Sequence, residues 1–173
     1  MNLPDDGTGR SEAGTIVVIG VGQSLRGDDG AGLAAVRLWY ATYQEKLIRP
    51  AVRMELAELP GISLLSLLEG YQSAILVDAV RSGSIPGTIL QITEGQLDQF
   101  SSGSRSAHGW GVAETLTLGR STVSEQLPRK IILIGIEAGQ IKLGENLSPQ
   151  VEQSLLEAAR LIEQLVSEAL DQA

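Results

Sequence analysis

The sequence predicts an α/β fold: a single three-layer domain in which a mostly parallel twisted sheet lies between helices on both faces. Three observations carry this expectation. Apolar runs of strand length alternate with stretches of helical periodicity, the pattern of a sheet covered by helices. The first apolar run passes through a glycine-rich turn straight into a helical pattern. A chain of 173 residues, 43% hydrophobic with 20 glycines and few aromatics, suits one core of Val, Ile and Leu with tight turns around it.

The elements follow in order. Residues 1–14 are polar, carry Asp5, Asp6, Arg10 and Glu12, and are expected to be a disordered lead-in to a domain spanning 15–173. They lack the apolar core of a signal peptide, so a cytoplasmic location is expected. No apolar run approaches the roughly 20 residues of a membrane-spanning helix. Thr15–Gly20 reads as the first strand. Ala31–Gln44 reads as a helix with Leu33, Val36, Tyr40 and Tyr43 along one side. Val52–Leu59 reads as a second strand, with a short helix near Ile62–Leu68 after it. Ala74–Asp78 is a third strand, apolar until its final acid. Thr88–Thr93, after the Pro86-Gly87 turn, reads as an antiparallel edge strand, and Ile131–Ile136 as a late strand. The last helix is the best specified: Ser148 can cap it, Pro149 suits its first position, and Val151, Leu155, Ala158, Ile162, Leu165 and Ala169 form a stripe that docks onto the sheet.

Composition removes several function classes. A net charge of −8 disfavours nucleic acid and anionic membrane surfaces, which attract clustered Lys and Arg. The absence of cysteine excludes disulfides, thiolate metal sites and a cysteine nucleophile.

The chemistry concentrates in the glycine turn. A glycine turn feeding a helix ordinarily suits an anion, because free backbone N–H groups and the helix dipole favour negative charge. Here Asp28 and Asp29 put negative charge where a phosphate would sit, so the turn suits a cation or acid–base chemistry. Asp29 follows the carboxyl end of the first strand and Asp78 ends the third, so both can reach the crevice where open α/β sheets bind ligands. The bland alternatives are a helix N-cap for Asp29 and a turn residue for Asp78. His108, the one histidine, lies in a small-residue loop with Gly103, Gly109 and Gly111 around it and a helix from Val112. It is incidental or it is a ligand. Two carboxylates and an imidazole would suit a borderline divalent ion such as Zn²⁺ or Ni²⁺ with positions left open.

Other readings are weaker. In a dinucleotide fingerprint starting at Gly20 and Gly22, Leu25 takes the place of the third glycine, although Glu55 or Glu58 could grip a ribose. Gly22-Gln23-Ser24-Leu25-Arg26 lacks the closing glycine of a nucleophile elbow. Asp28 and Asp29 form no aspartic-protease pair, because adjacent residues on an extended turn point apart.

Three separated segments resemble the nickel-iron hydrogenase maturation proteases. Gly20-Val21-Gly22-Gln23-Ser24-Leu25-Arg26-Gly27-Asp28-Asp29-Gly30-Ala31-Gly32 is similar to that family's opening motif, in which Gly-x-Gly-Asn runs on to Asp followed by Asp or Glu. Leu76-Val77-Asp78-Ala79-Val80 with Pro86-Gly87-Thr88 resembles the second motif, and Ser106-Ala107-His108 with Gly111 the third. The resemblance implies an endopeptidase that trims the C-terminal extension of a hydrogenase large-subunit precursor after nickel insertion. It implies that Asp29, Asp78 and His108 contact nickel presented by that substrate, while Asp28 orients the turn or caps the helix. A non-catalytic nickel-binding chaperone using the same residues is the alternative, and a nucleotide-binding domain a more distant one. Gln23 departs from the family's usual Asn. Leu56-Ala57-Glu58-Leu59-Pro60-Gly61 stands where many members have an Asp-Gly-Gly-Thr-like segment, with Glu58 as a candidate substitute.

Overall fold

Among the described residues, the β-branched and Leu-rich runs assemble into one five-stranded sheet. The computed structural model describes residues 16–43, 51–58, 60–97 and 111–172. The strands are β1 (Ile16–Gly22), β2 (Val52–Glu58), β3 (Ser73–Val80), β4 (Ile89–Thr93) and β5 (Lys130–Glu137), in spatial order β2-β1-β3-β5-β4. The first four in that order run parallel, and β4 pairs antiparallel with β5 at the edge, as the Pro86-Gly87 turn predicts.

Alternation along the strands builds a core on each face. Ile16 and Val18 point into one core with helix α1 (Ala31–Tyr43) and the long C-terminal helix α4 (Pro149–Asp171). Val17 and Ile19 point into the other with α2 (Leu64–Leu68) and α3 (Val112–Thr122). Both sides of β1 are buried, which is why its sequence is apolar without a break. The result is the expected three-layer α/β domain. No helix among the described residues is long and apolar enough to cross a membrane.

Several expectations are corrected. In α1 the buried face is Leu33, Val36 and Trp39 with Ala31 and Ala35, while Tyr40 is exposed. The register turns because the Trp39 indole N–H reaches Glu163 of α4 at 3.1 Å, so the tryptophan takes the inner place. β1 runs on to Gly22. β3 extends beyond Asp78 to Val80, because Asp78, Ala79 and Val80 still pair with Gly135, Ile136 and Glu137 of β5. Asp78 is therefore a strand residue, not the strand's last residue and not a turn residue. The stripe of α4 is buried as expected at Val151, Ala158, Ile162, Leu165 and Ala169, with Leu155 partly so. Ser148, however, makes no side-chain cap at that helix. The expected lead-in at 1–14 lies outside the described residues.

Candidate active site

The topology makes one natural crevice. From β1 the chain crosses one face to β2, then returns over the other face to β3 on the opposite side of β1. The connections leaving β1 and β2 therefore diverge over opposite faces, and the space beyond the carboxyl ends of β1 and β3 is left open. Pairing of β1 with β3 stops at Gly20 and Val77, which leaves Asp78 one residue beyond the last shared rung.

Close backbone approach brings Asp29 to this place. Gly22 has φ +146°, and a Cβ there would lie 1.9 Å from the carbonyl oxygen of Asp29. The turn folds back on itself through Gln23 N–H donating to Asp29 O and Arg26 N–H donating to Gln23 O, both at 3.2 Å. Gln23, the departure from the expected Asn, accepts at its side-chain oxygen from Arg26 Nη1 at 3.3 Å. Gly27–Gly30 forms a 3₁₀ turn that merges into α1, with Arg26 at the cap position. Asp29 is therefore inside the first helical turn, and its alternative reading as an N-cap fails.

Asp28 and Asp29 point apart, as adjacent turn residues should. The fully buried Asp28 carboxyl accepts from Gly139 N–H (2.8 Å), Gln140 N–H (2.8 Å), Ser148 N–H (2.6 Å) and Ser148 Oγ–H (2.9 Å). Its own N–H donates to Gln140 O at 2.9 Å. Asp28 thus pins the β5–α4 connection beneath the turn, which is its orienting role, and it caps no helix. The Ser148 hydroxyl is committed to this clamp, which explains its absence from the α4 cap. Asp28→Ala is expected to lower stability by about 3 kcal/mol, since it takes the acceptor from the buried Ser148 N–H and from two part-buried N–H groups, of Gly139 and Gln140. Urea unfolding with an unchanged slope and a lowered midpoint is the readout.

Asp29 instead joins Asp78. Its Oδ2 is out of contact with solvent. Asp78 is partly buried at the mouth of the crevice, and its Oδ1 accepts from Ala79 N–H at 2.8 Å. Burial, and then the Asp29 charge, push the Asp78 carboxyl from 3.8 up to about 7, against the smaller opposing pull of the Ala79 hydrogen bond. Two carboxyls held together at a desolvated strand end favour either a proton or a cation between them. Two carboxylates are donors of the kind that suit a divalent ion.

The remaining candidates divide. His108 lies outside the described residues, so the structure places two of the three expected donors. Among the described residues no group of three or more His, Asp or Glu converges as a metal cage. Glu58, at the end of β2, is exposed and accepts from Ser24 Oγ at 2.7 Å, which ties the turn to the neighbouring strand. Glu55 is partner to Arg53 on the same strand, at 3.3 Å. Glu137 was not singled out by the sequence reasoning. It is buried at the end of β5 and accepts from Ser82 N–H, Ser82 Oγ–H and Gly83 N–H at 2.7–3.1 Å. The signal that marks Asp78, an acid closing an apolar strand, also marks Glu137 after Ile131–Ile136.

Comparison with known proteins bears on family and fold. The profile of the hydrogenase maturation protease family matches residues 59–165. The chain is 31% identical over 144 residues to protein FrxA from Pyrococcus furiosus, covering 82% of this chain and 98% of that one. It is 28% identical over 158 residues to hydrogenase expression/formation protein HoxM from Azotobacter vinelandii, covering 90% and 74%. Among solved structures, the hydrogenase maturating endopeptidase HybD from E. coli shares the fold, with TM-score 0.76 and 24% identity over 89% of this chain and 93% of that one. The [NiFe] hydrogenase maturation protease HybD from Thermococcus kodakarensis aligns with TM-score 0.67 and 26% identity, covering 87% and 97%.

Proposed function

The chain belongs to the hydrogenase maturation protease family, and from this premise we propose that it removes the C-terminal extension of a nickel-iron hydrogenase large-subunit precursor after nickel insertion. The nickel enters as part of the substrate, not as a stored cofactor. The precursor presents it to Asp29, Asp78 and His108, and this contact sets the scissile peptide bond beside the crevice. Hydrolysis then adds water across that bond, leaving a carboxylate on the mature subunit and an amine on the released peptide.

The observation that carries this reading is the convergence of Asp29 and Asp78 at the switch in strand order. Asp78 titrates near neutrality when no cation is present, so an arriving divalent charge exchanges readily for its proton. A site with few ligands discriminates loaded from empty precursor without extracting the metal. Asp28 stays outside the reaction and holds the turn.

The test is mass spectrometry of a large-subunit precursor, nickel-loaded and nickel-free, after incubation with the protein. Loss of a C-terminal peptide from the loaded form alone is expected. Asp29→Asn and His108→Ala should each reduce that cleavage at least 100-fold while keeping the wild-type circular dichroism spectrum. Capture of the precursor without shortening would instead identify a nickel-binding chaperone. Normal cleavage by a folded Asp29→Asn protein would remove Asp29 from the site.

A further inference from the structure

Six large apolar side chains stand exposed among the described residues: Leu25, Tyr40, Ile62, Ile85, Leu143 and Leu156. Scattered exposed apolar residues need no explanation. Four of these six, however, share one edge of the molecule. Leu25 follows β1, Ile62 follows β2, Ile85 follows β3 and Leu143 follows β5, with exposures of 72%, 63%, 78% and 79%. Each parallel strand is thus followed by a connection that holds one aliphatic side chain out to water, at the same carboxyl edge of the sheet as Asp29 and Asp78.

The connections are braced. Gly144 N–H donates to Leu25 O at 2.8 Å, and Gly27 N–H to Glu145 O at 3.0 Å, so Leu25 and Leu143 are carried on two loops tied to each other. The buried Glu137 carboxyl fixes Ser82 and Gly83 ahead of Ile85. Ser24 is tied to Glu58 just ahead of Ile62. Side chains on loops already ordered lose little backbone freedom when a partner covers them.

We infer that Leu25, Ile62, Ile85 and Leu143 form a docking rim that seats on an apolar collar of the folded large-subunit precursor. This rests on the proposed function and adds where recognition of the protein substrate resides. A macromolecule that lowers a metal and a peptide bond to Asp29 and Asp78 approaches the sheet from the carboxyl edge, where these connections follow its parallel strands. Two carboxyls bind a cation but cannot tell one cation-bearing protein from another. A set of aliphatic contacts along the same edge can.

The experiment is steady-state cleavage of a purified nickel-loaded precursor by wild type, Leu25→Ser/Leu143→Ser, Ile62→Ser/Ile85→Ser and Tyr40→Ser. Tyr40 lies near the end of α1 that runs away from the site, and its variant serves as the control. Each rim pair is expected to raise KM about 30-fold with kcat within about twofold of wild type. The melting temperature should not move, because the four side chains are exposed, and Tyr40→Ser should behave as wild type. Wild-type kinetics in both rim pairs would overturn the inference, as would a fall in kcat at constant KM. Sedimentation is run alongside: a wild-type dimer that the rim variants dissolve would assign these side chains to a second copy of the chain instead. Wild-type protein that leaves the loaded precursor intact overturns the proposed function and this inference together. Cleavage by wild type with unaffected rim variants overturns this inference alone.

Discussion

Replacing Asp78 by Asn should abolish precursor cleavage and, above pH 7, make the protein more stable than wild type. Both effects have one cause. The Asp78 carboxyl is raised from 3.8 to about 7 in the folded protein, by burial first and by the Asp29 charge second. The native state therefore holds this proton more tightly than the unfolded chain does. Below pH 4 both states are protonated and the group imposes no penalty. As pH rises from about 4 to about 7 the unfolded chain ionises freely while the folded one resists, and stability falls. Above pH 7 the loss is complete, at most about 4 kcal/mol from a shift of this size, and less where the loops relax.

Asn is nearly isosteric, retains Oδ1 for the Ala79 N–H, and cannot ionise. Its melting-temperature advantage over wild type should be small at pH 4 and grow to roughly 5 °C or more at pH 8. Calorimetry at the two pH values checks this, and equal melting temperatures at pH 8 would remove the carboxyl pair as a source of strain. Cleavage should fall at least 100-fold, since the amide offers no negative charge to the incoming metal. A residue whose removal stabilises the fold while ending the activity is one retained for chemistry.

Gly32→Ala should have the largest effect on the fold itself. A Cβ at Gly32 would lie 2.2 Å from Val77 O and 2.4 Å from Val21 O. Both contacts are main-chain atoms of central strands, so neither can turn aside as a side chain would. The first turn of α1 would have to lift off β1 and β3, opening the core at Leu33 and Val36. A loss of about 3 kcal/mol or more is expected, despite the better helix propensity of Ala. Denaturation by urea measures it. Because Gly32 packs next to Asp78 and follows Asp29, any folded remainder should also cleave poorly. Near-wild-type stability would mean that the helix–strand spacing is looser than the contacts indicate.

Much of this was legible in the sequence, for identifiable reasons. Parallel strands buried on both faces write themselves as unbroken apolar runs, so Ile16–Val21 and Ile131–Ile136 could hardly be misread. The antiparallel edge strand announced itself through Pro86-Gly87. Asp29 and Asp78 could be paired because the carboxyl ends of neighbouring parallel strands share one rim. What depended on partners distant in sequence was not legible. Ser148 carries every local sign of a helix cap, yet its hydroxyl goes to Asp28, 120 residues earlier. Tyr40 and Trp39 compete for the inner face of α1, and Glu163, far along the chain, decides the outcome. Helical spacing alone cannot register such a bond.

The clamp at Asp28 also bears on how the molecule is made. Its donors, Gly139, Gln140 and Ser148, are synthesised more than a hundred residues after the turn they secure. A nascent chain emerging from the ribosome carries both Asp29 and Asp78 long before anything holds them in register, and contacts of such long range close late. The crevice is therefore braced only after Ser148 has been made, and a polypeptide that stops short of it displays the motif without its brace.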